Sequence, residues 1–349
     1  MKLQLTADEE NVVIHKTAGM VEETLSLEQD YRRQRRIVDT NEWKQVAVRN
    51  DFHIYKQRKE FATFTTSRVP GILCAGTVDG KLEDFMYGVY DGDETAWRIR
   101  SAYNPDKFAH SHLLATIVGP SSKEPFRHVG VRWLATQSPP VVGAFIQERD
   151  YLLMEASGMA RDKQGETYGY YVLRDFVHPN LPVRRDSGFI RCKFSFCCIA
   201  RQLSSRRVAV YARSNVDFGG YLPATVGIPI VARTLLAFAN SVETSHSKKL
   251  TSLIAQQQSQ RLKTNTFVPN TSSCHSCEKK PGYLTASLVR CQACHQSFCA
   301  NCSTQRKLVV DVTAEELTLR TLPVCYVCVD QAKQLSSVDV ARPHLRSSK

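Results

Sequence analysis

Eight of the twelve cysteines lie between positions 274 and 328 as four C-x2-C pairs: Cys274 and Cys277, Cys291 and Cys294, Cys299 and Cys302, Cys325 and Cys328. Thirteen, four and twenty-two residues separate the successive pairs. A C-x2-C turn presents two sulfurs to one side of an ion, and zinc favours four thiolates in a tetrahedron. Four pairs therefore supply two complete sites, and the expected cofactor is two Zn2+ ions held by these eight residues. Disulfides are the competing use of cysteine, and they belong to oxidising compartments. The start Met1-Lys2-Leu3-Gln4, soon followed by Asp8-Glu9-Glu10, shows no apolar signal core, so the thiols are expected to stay reduced. The cysteine-rich segment has few large apolar residues, and bound metal must supply folding energy that so small a core cannot.

The remaining cysteines, Cys74, Cys192, Cys197 and Cys198, show no ligand spacing. Cys197 and Cys198 are adjacent and face opposite sides of a strand, which suits small buried apolar residues. The chain carries no phosphate-cradling glycine loop, no G-x-S-x-G elbow and no H-E-x-x-H. Asp175 and His178 are close enough in sequence to pair as acid and base, but a fold-building role is favoured. With all eight cysteines ligating, neither zinc keeps an open position for hydrolysis. The chain reads as non-enzymatic.

The elements that must position these residues divide into two domains. Residues 1–20 read as a flexible lead-in and 21–39 as a helix. A strand pattern starts at Trp43, with Val46, Val48, Phe52, Ile54 and Tyr55 among polar neighbours. Between positions 81 and 115 the apolar spacing turns helical, as in Leu82, Phe85, Met86 and Val89. From His128 the period becomes two, with Val129, Val131, Trp133 and Ala135 on one face and His128, Arg132 and Leu134 on the other. Residues 151–156 and 167–175 form the next strands, followed by Ile190, Cys192, Phe194, Phe196 and Cys198 alternating with polar neighbours, and then by Val208, Val210 and Ala212. Strands joined by short turns imply an antiparallel meander, since parallel pairs need long crossovers. After Pro229 the helical period returns through Val231, Leu235, Phe238 and Val242 to Leu250, Leu253 and Ile254. The fold class is α+β: a curved antiparallel sheet with one long helix across its concave face. Residues 222–239 are the longest apolar run, but Pro223, Pro229 and Arg233 argue for a buried helix over a bilayer span. A Gln/Ser-rich linker over 256–273, a zinc module over 274–334 and a polar tail over 335–349 complete the chain.

The order of motifs in the first domain resembles the START family of lipid-binding domains. Arg149-Asp150-Tyr151 opens a strand, His178-Pro179 follows, then Gly188-Phe189-Ile190-Arg191, then Asp217-Phe218-Gly219-Gly220-Tyr221-Leu222-Pro223 before the closing helix. The likeness covers about residues 25–250, within a domain drawn at 21–255. It implies a helix-grip fold holding one lipid or other apolar ligand between sheet and helix. Val131, Trp133, Phe194, Phe196 and Val210 are the residues expected to face inward, around either a cavity or a filled core. An arginine inside such a cavity, with Arg149 as the candidate, needs a carboxylate or a polar lipid head as its partner.

The finger, with its four-residue gap before Phe298-Cys299-Ala300-Asn301-Cys302-Ser303, resembles the FYVE family. That resemblance implies cross-braced ligation, with Cys274, Cys277, Cys299 and Cys302 on one ion and Cys291, Cys294, Cys325 and Cys328 on the other. FYVE domains bind phosphatidylinositol 3-phosphate through a W-x-x-D lead, an R-(R/K)-H-H-C-R patch and an R-V-C strand. Here residues 266–273 contain no tryptophan, residues 287–292 keep only Arg290, and Pro323 stands where the family has arginine. Lys279, Lys280 and Arg290 remain as headgroup contacts, with Tyr283 and Leu284 as membrane contacts.

A formal charge of +12 points to an anionic partner. The finger pairs few basic residues with aromatics, so nucleic acid is not the expected one. The reading that follows is a cytoplasmic lipid-binding or lipid-sensing protein whose finger docks it to a protein or peripherally to endosomal or other intracellular membranes. Its alternative is a RING-like ubiquitin ligase or a protein-interaction scaffold with a filled START-like core.

Overall fold

The computed structural model describes residues 2–58, 70–104, 108–136, 148–182, 188–220, 222–265, 268–269, 271–280, 287–313 and 316–346. The chain divides into two compact units, Met1–Val242 and Glu243–Lys349.

Helix α1 (Ala7–Arg33) begins at a capping box. The Thr6 hydroxyl accepts from the Glu9 amide, and the Glu9 carboxylate accepts from the Thr6 amide. Asp8, Glu9 and Glu10 occupy its first turn and Arg32 and Arg33 its last, each sign favourable to the dipole end it meets. Most of the lead-in expected over 1–20 is thus helical. Its buried stripe is Val13, Thr17, Val21, Thr24 and Glu28, too polar to show in the apolar spacing.

Strands β1 (Trp43–Arg49) and β2 (Phe52–Gln57) form a hairpin turning at Asn50, whose φ of 52° is left-handed. β3 (Ile72–Asp79) leads into α2 (Leu82–Val89) and α3 (Glu94–Tyr103), the latter capped by the Asp93 carboxylate on the Ala96 amide. The helical spacing expected up to residue 115 stops there, because β4 (Phe108–Val118) pairs with β5 (His128–Thr136). β6 (Arg149–Arg161), β7 (Thr167–Asp175), β8 (Ile190–Ser204) and β9 (Arg207–Asp217) complete a nine-stranded sheet of order β1-β2-β3-β9-β8-β7-β6-β5-β4. Neighbours in that order are antiparallel, as the short turns require. Beyond the end of β7, the start of β6 pairs in parallel with the start of β8 through Arg149–Tyr151 and Ile190–Cys192.

Both faces of this sheet are covered. On one, Val13 and Val21 of α1 pack with Val129, Val131, Leu152, Met154, Val172 and Ile199. The other faces a cavity. The side assigned to β5 is therefore reversed: Val131 and Trp133 lie on the α1 side, while Arg132, Leu134 and Thr136 line the cavity. Phe194 and Phe196 do line it, and Val210 is buried in the sheet.

After β9 the chain turns through Gly219 and Gly220, whose φ values of 62° and 55° are left-handed. A side chain at Gly219 would also meet Ile190 at 2.6 Å. The closing helix is two elements rather than one. α4 (Ala224–Leu235), with Pro229 inside it, ends in a 3-10 turn over Leu236–Asn240, and α5 (Ser241–Thr264) follows. Residues 256–264, expected as linker, are helical.

The second unit carries two small sheets. β10 (Val289–Arg290) pairs with β11 (Ser297–Phe298), and β12 (Ser303–Val312) with β13 (Leu317–Cys325). Helices α6 (Tyr326–Gln334) and α7 (Ser337–Arg346) follow, so the tail expected to be merely polar is largely helical. Leu250, Leu253 and Ile254 of α5 share one core with Cys274, Cys291, Phe298, Leu308 and Val324.

Candidate functional site

The two first C-x2-C turns of the second unit are built alike. The Cys274 amide donates to the Lys279 carbonyl and the Glu278 amide returns to the Cys274 carbonyl. Seventeen positions on, the Cys291 amide donates to Gln296 and the His295 amide returns to Cys291. Glu278 and His295 each follow the second cysteine of their pair, and both have φ of 60°. These paired knuckles aim their thiols at sulfurs delivered by the β12–β13 ribbon, which has Cys299 and Cys302 before its first strand, Cys325 at its end and Cys328 one turn into α6.

The eight thiols form two groups of four: Cys274, Cys277, Cys299 and Cys302, and Cys291, Cys294, Cys325 and Cys328. Within each group the sulfurs all lie within 4.8 Å of one another. The grouping interleaves along the chain in the same way as the cross-brace that the FYVE resemblance implies. A tetrahedron with metal–sulfur bonds of about 2.3 Å has edges of about 3.8 Å. The Cys277–Cys299 and Cys294–Cys325 sulfurs are 3.7 Å and 4.0 Å apart. No pair is bonded as a disulfide. The Cys325 amide also donates to the Cys291 sulfur at 3.3 Å and the Cys328 amide to the Cys325 sulfur at 3.4 Å, contacts that favour thiolates. Each group could hold one metal ion, and the donor set suits zinc.

By contrast, Cys192 and Cys197 are structural. Burial pushes each thiol up to about 12, far from the thiolate needed for ligation or attack.

Lys279 and Lys280 are exposed beside the first group. Arg290 is differently placed: its Nε donates to the His295 carbonyl at 2.9 Å and its Nη2 to the Val268 carbonyl. Two of its guanidinium nitrogens thus donate to the chain's own backbone. Tyr283 and Leu284 lie outside the described residues.

The second candidate site is a cavity of about 460 Å3 in the first unit, a size typical of small-ligand pockets. Leu134, Leu153, Leu173, Phe194 and Phe196 of the sheet form one wall, and Val226, Ile230, Val231 and Leu235 of α4 form the other. The apolar run over 222–239 is thus used as cavity wall. Trp97 and Arg100 of α3 and Asn104 at its C-cap line it as well, and Arg149, Phe218 and Leu222 contribute elsewhere. The Arg149 Nε donates to the Phe218 carbonyl at 3.2 Å, and the guanidinium lies 5.8 Å from the centre of that ring.

One end of the cavity is polar. Arg132, 1% exposed, donates from Nε to the Glu155 carboxylate at 2.8 Å, from Nη1 to the Ser111 hydroxyl at 2.9 Å and from Nη2 to the Asp91 carbonyl at 2.6 Å. The other Glu155 oxygen meets the His128 Nε2 at 2.8 Å. The Asp91 carboxylate pairs with Arg100 at 3.0 Å and accepts from the Tyr171 hydroxyl at 2.9 Å. Burial opposes ionisation of Glu155, but the Arg132 charge and the His128 contact outweigh it and hold the carboxyl down at about 2. At Asp91 burial wins over the Arg100 charge, and the carboxyl is raised. Sequence reading missed this cluster, whose members come from five elements and loops. The available signal was a lone charge inside an apolar strand: Arg132 between Val131 and Trp133, and Glu155 between Met154 and Ala156.

His178, weighed above with Asp175, instead meets the Glu9 carboxylate of α1 at 3.1 Å.

No family model and no curated protein matches the chain. Among solved structures, the human StAR-related lipid transfer protein 5 is similar at 20% identity and a TM-score of 0.45, over 66% of this chain and 96% of that one. Human STARD10 is similar at 13% identity and a TM-score of 0.42, over 67% of this chain and 82% of that one. A STAR-related lipid transfer protein fragment from Xanthomonas axonopodis is similar at 16% identity and 0.40, over 58% and 99%.

Proposed function

We propose that this chain is a non-enzymatic lipid-binding protein with a START-like first unit and a FYVE-like, two-zinc second unit. The observation that carries the first half is the cavity: apolar over the sheet and α4, and polar at one end. At that end two guanidinium groups and two carboxylates are already paired with each other. An additional full charge there would break a buried pair, whereas a hydroxyl or carbonyl group can share its hydrogen bonds. The ligand is therefore an apolar molecule with one uncharged polar end. Native mass spectrometry of the protein purified from cells tests this. A co-purifying neutral lipid at one per chain is expected, and Leu153→Trp, which fills the cavity, removes it. A chain that carries no such molecule, and that Leu153→Trp leaves unchanged in uptake of neutral lipids from vesicles, overturns the reading.

For the second unit, the sulfur spacing supports two Zn2+ ions, and the exposed Lys279 and Lys280 support docking to an anionic membrane. In this reading the protein is cytoplasmic and peripheral on intracellular membranes. Flotation with vesicles containing phosphatidylinositol 3-phosphate or phosphatidylserine tests the docking. Binding that falls with salt and with Lys279→Glu/Lys280→Glu is expected. Absence of binding to either vesicle leaves a protein partner as the finger's target.

A further inference from the structure

Helix α5 carries one stripe across its length: Leu250, Leu253 and Ile254, then Gln257, then Arg261. The apolar members are buried with the cysteine-rich segment, and the polar members continue onto the Cys291–Cys294 knuckle. The Arg261 Nη1 donates to the carbonyl of Ala293 at 2.5 Å. Ala293 is fully buried and lies between two of the ligating cysteines. Arg290 binds the same knuckle through the His295 carbonyl at 2.9 Å.

Two cations thus bracket the Cys291–Cys294 knuckle of a group with three buried cysteines and a half-buried one, Cys294. Four thiolates around a divalent ion carry a net charge of about −2, and a dianion withdrawn from water needs cations or donors around it. Three buried side-chain atoms here have no hydrogen-bond partner among the described residues: Arg261 Nη2, Gln257 Oε1 and His295 Nε2. An unused buried guanidinium donor, Arg261 Nη2, beside a thiol cluster fits a site whose charge arrives with the metal. The other group differs, since its Cys277 is exposed and water can screen its charge.

We propose that Arg261, outside the cysteine-rich segment, is a positioning residue of the Cys291, Cys294, Cys325 and Cys328 metal site. It fixes the knuckle through the Ala293 carbonyl and offsets the thiolate charge. The metal-binding domain accordingly begins in α5 and not at Cys274. This rests on the reading of the cysteine groups as zinc sites.

The test uses the full zinc-loaded chain and competition with a colorimetric chelator. Release of two ions per chain in two phases is expected. Arg261→Ala accelerates one phase by about 10–100-fold and leaves the other unchanged. Arg261→Lys, which keeps the charge but loses the planar fork, recovers part of the difference. Lys263→Ala, an exposed position on the same helix, changes neither phase. In the cadmium-113 form, Arg261→Ala shifts one of two resonances, the one that Cys328→Ser abolishes. If Arg261→Ala leaves both phases and both resonances unchanged, or accelerates both phases alike, Arg261 has no such role. If Arg261→Ala does not fold, Arg261→Lys is decisive by the same two readouts. A wild-type chain that binds no zinc removes the reading beneath the proposal, a result distinct from all of these.

Discussion

The two units are stabilised by different means. The first builds a nine-stranded sheet with α1 on one face, and its core is a continuous set of Val, Leu, Ile, Met and aromatic side chains. Among its described residues the second has only two-stranded sheets, which are marginal on their own. Four of the thirteen fully buried members of its core cluster are ligand cysteines. Where apolar area is scarce, the cysteine groups stand in the middle of the core, and under the proposed zinc reading folding there is bound to metal loading. Among the described residues of the first unit no group of metal-ligating side chains is gathered, and packing and buried hydrogen bonds carry its stability.

Chelation is the largest lever on that contrast. Structural zinc contributes on the order of 10 kcal/mol to a small domain. Removing it should unfold the second unit and leave the first intact. Hydrogen exchange reads this directly: amides of β12 and β13 lose protection while those of β6, β7 and β8 keep it. Tryptophan fluorescence is a second probe, since Trp43, Trp97 and Trp133 all belong to the first unit. Protection retained in β12 and β13 after full chelation would erase the distinction drawn here.

A smaller effect, confined to the first unit, comes from the polar end of the cavity. Arg132→Met leaves the buried Glu155 carboxylate without its guanidinium, with the His128 ring as its remaining partner, and is expected to cost about 3–5 kcal/mol. Arg132→Met combined with Glu155→Leu should recover much of that, because no unpaired charge is left. Urea titration followed by tryptophan fluorescence measures both. Equal losses in the single and double variants would mean that packing, not the ion pair, sets the cost.

Acid divides the units again. The Glu155 carboxyl is held at about 2 in the fold, below its ordinary 4.5. A depressed carboxylate contributes stability that is present above the ordinary value and lost as pH falls through the folded one. Its share therefore disappears between about pH 4.5 and 2. Raised by burial, Asp91 works with the opposite sign, and its share is lost as pH rises through its folded value. Metal ligation needs deprotonated thiols, so acid is expected to release the metal of the second unit as a separate event. Glu155→Gln should flatten the fluorescence-detected acid transition of the first unit. An acid transition of unchanged steepness in that variant would assign it to other carboxylates.

What the sequence disclosed follows the same division. Cysteine spacing is local information, and it pointed to two four-sulfur sites, while the sharing of cysteines between them was implied only by the FYVE resemblance. The two-residue period of β8 and β9 was equally visible, because one strand face carries Arg191, Lys193 and Ser195. β5 deceived because α1 covers one of its faces and the cavity the other, so neither face is reserved for solvent. Its interior was inferred from Val131 and Trp133, when the informative residue was the buried Arg132. α5 was cut short at position 256 because Gln257, Gln260 and Arg261 carry no apolar period. Glutamine and arginine are nevertheless good helix formers, and the Arg261 contact ties that stretch to the knuckle. The start of α1 was legible but unread: Thr6-x-x-Glu9 before a helical stripe is a capping box in plain sequence.

That capping box supplies the smallest effect. The Thr6 hydroxyl satisfies the Glu9 amide, and the Glu9 carboxylate answers the Thr6 amide at 2.8 Å while also meeting His178 at 3.1 Å. Thr6→Ala removes the first of these and is expected to cost about 1 kcal/mol in the first unit, with Thr6→Ser close to neutral. The chelated protein should lose the same amount as the metal-loaded one, because α1 belongs to the unit that metal does not organise. A cap variant whose cost changes with chelation would show that the two units share stability after all, and the contrast between an apolar core and a metal core would have to be redrawn as one cooperative fold.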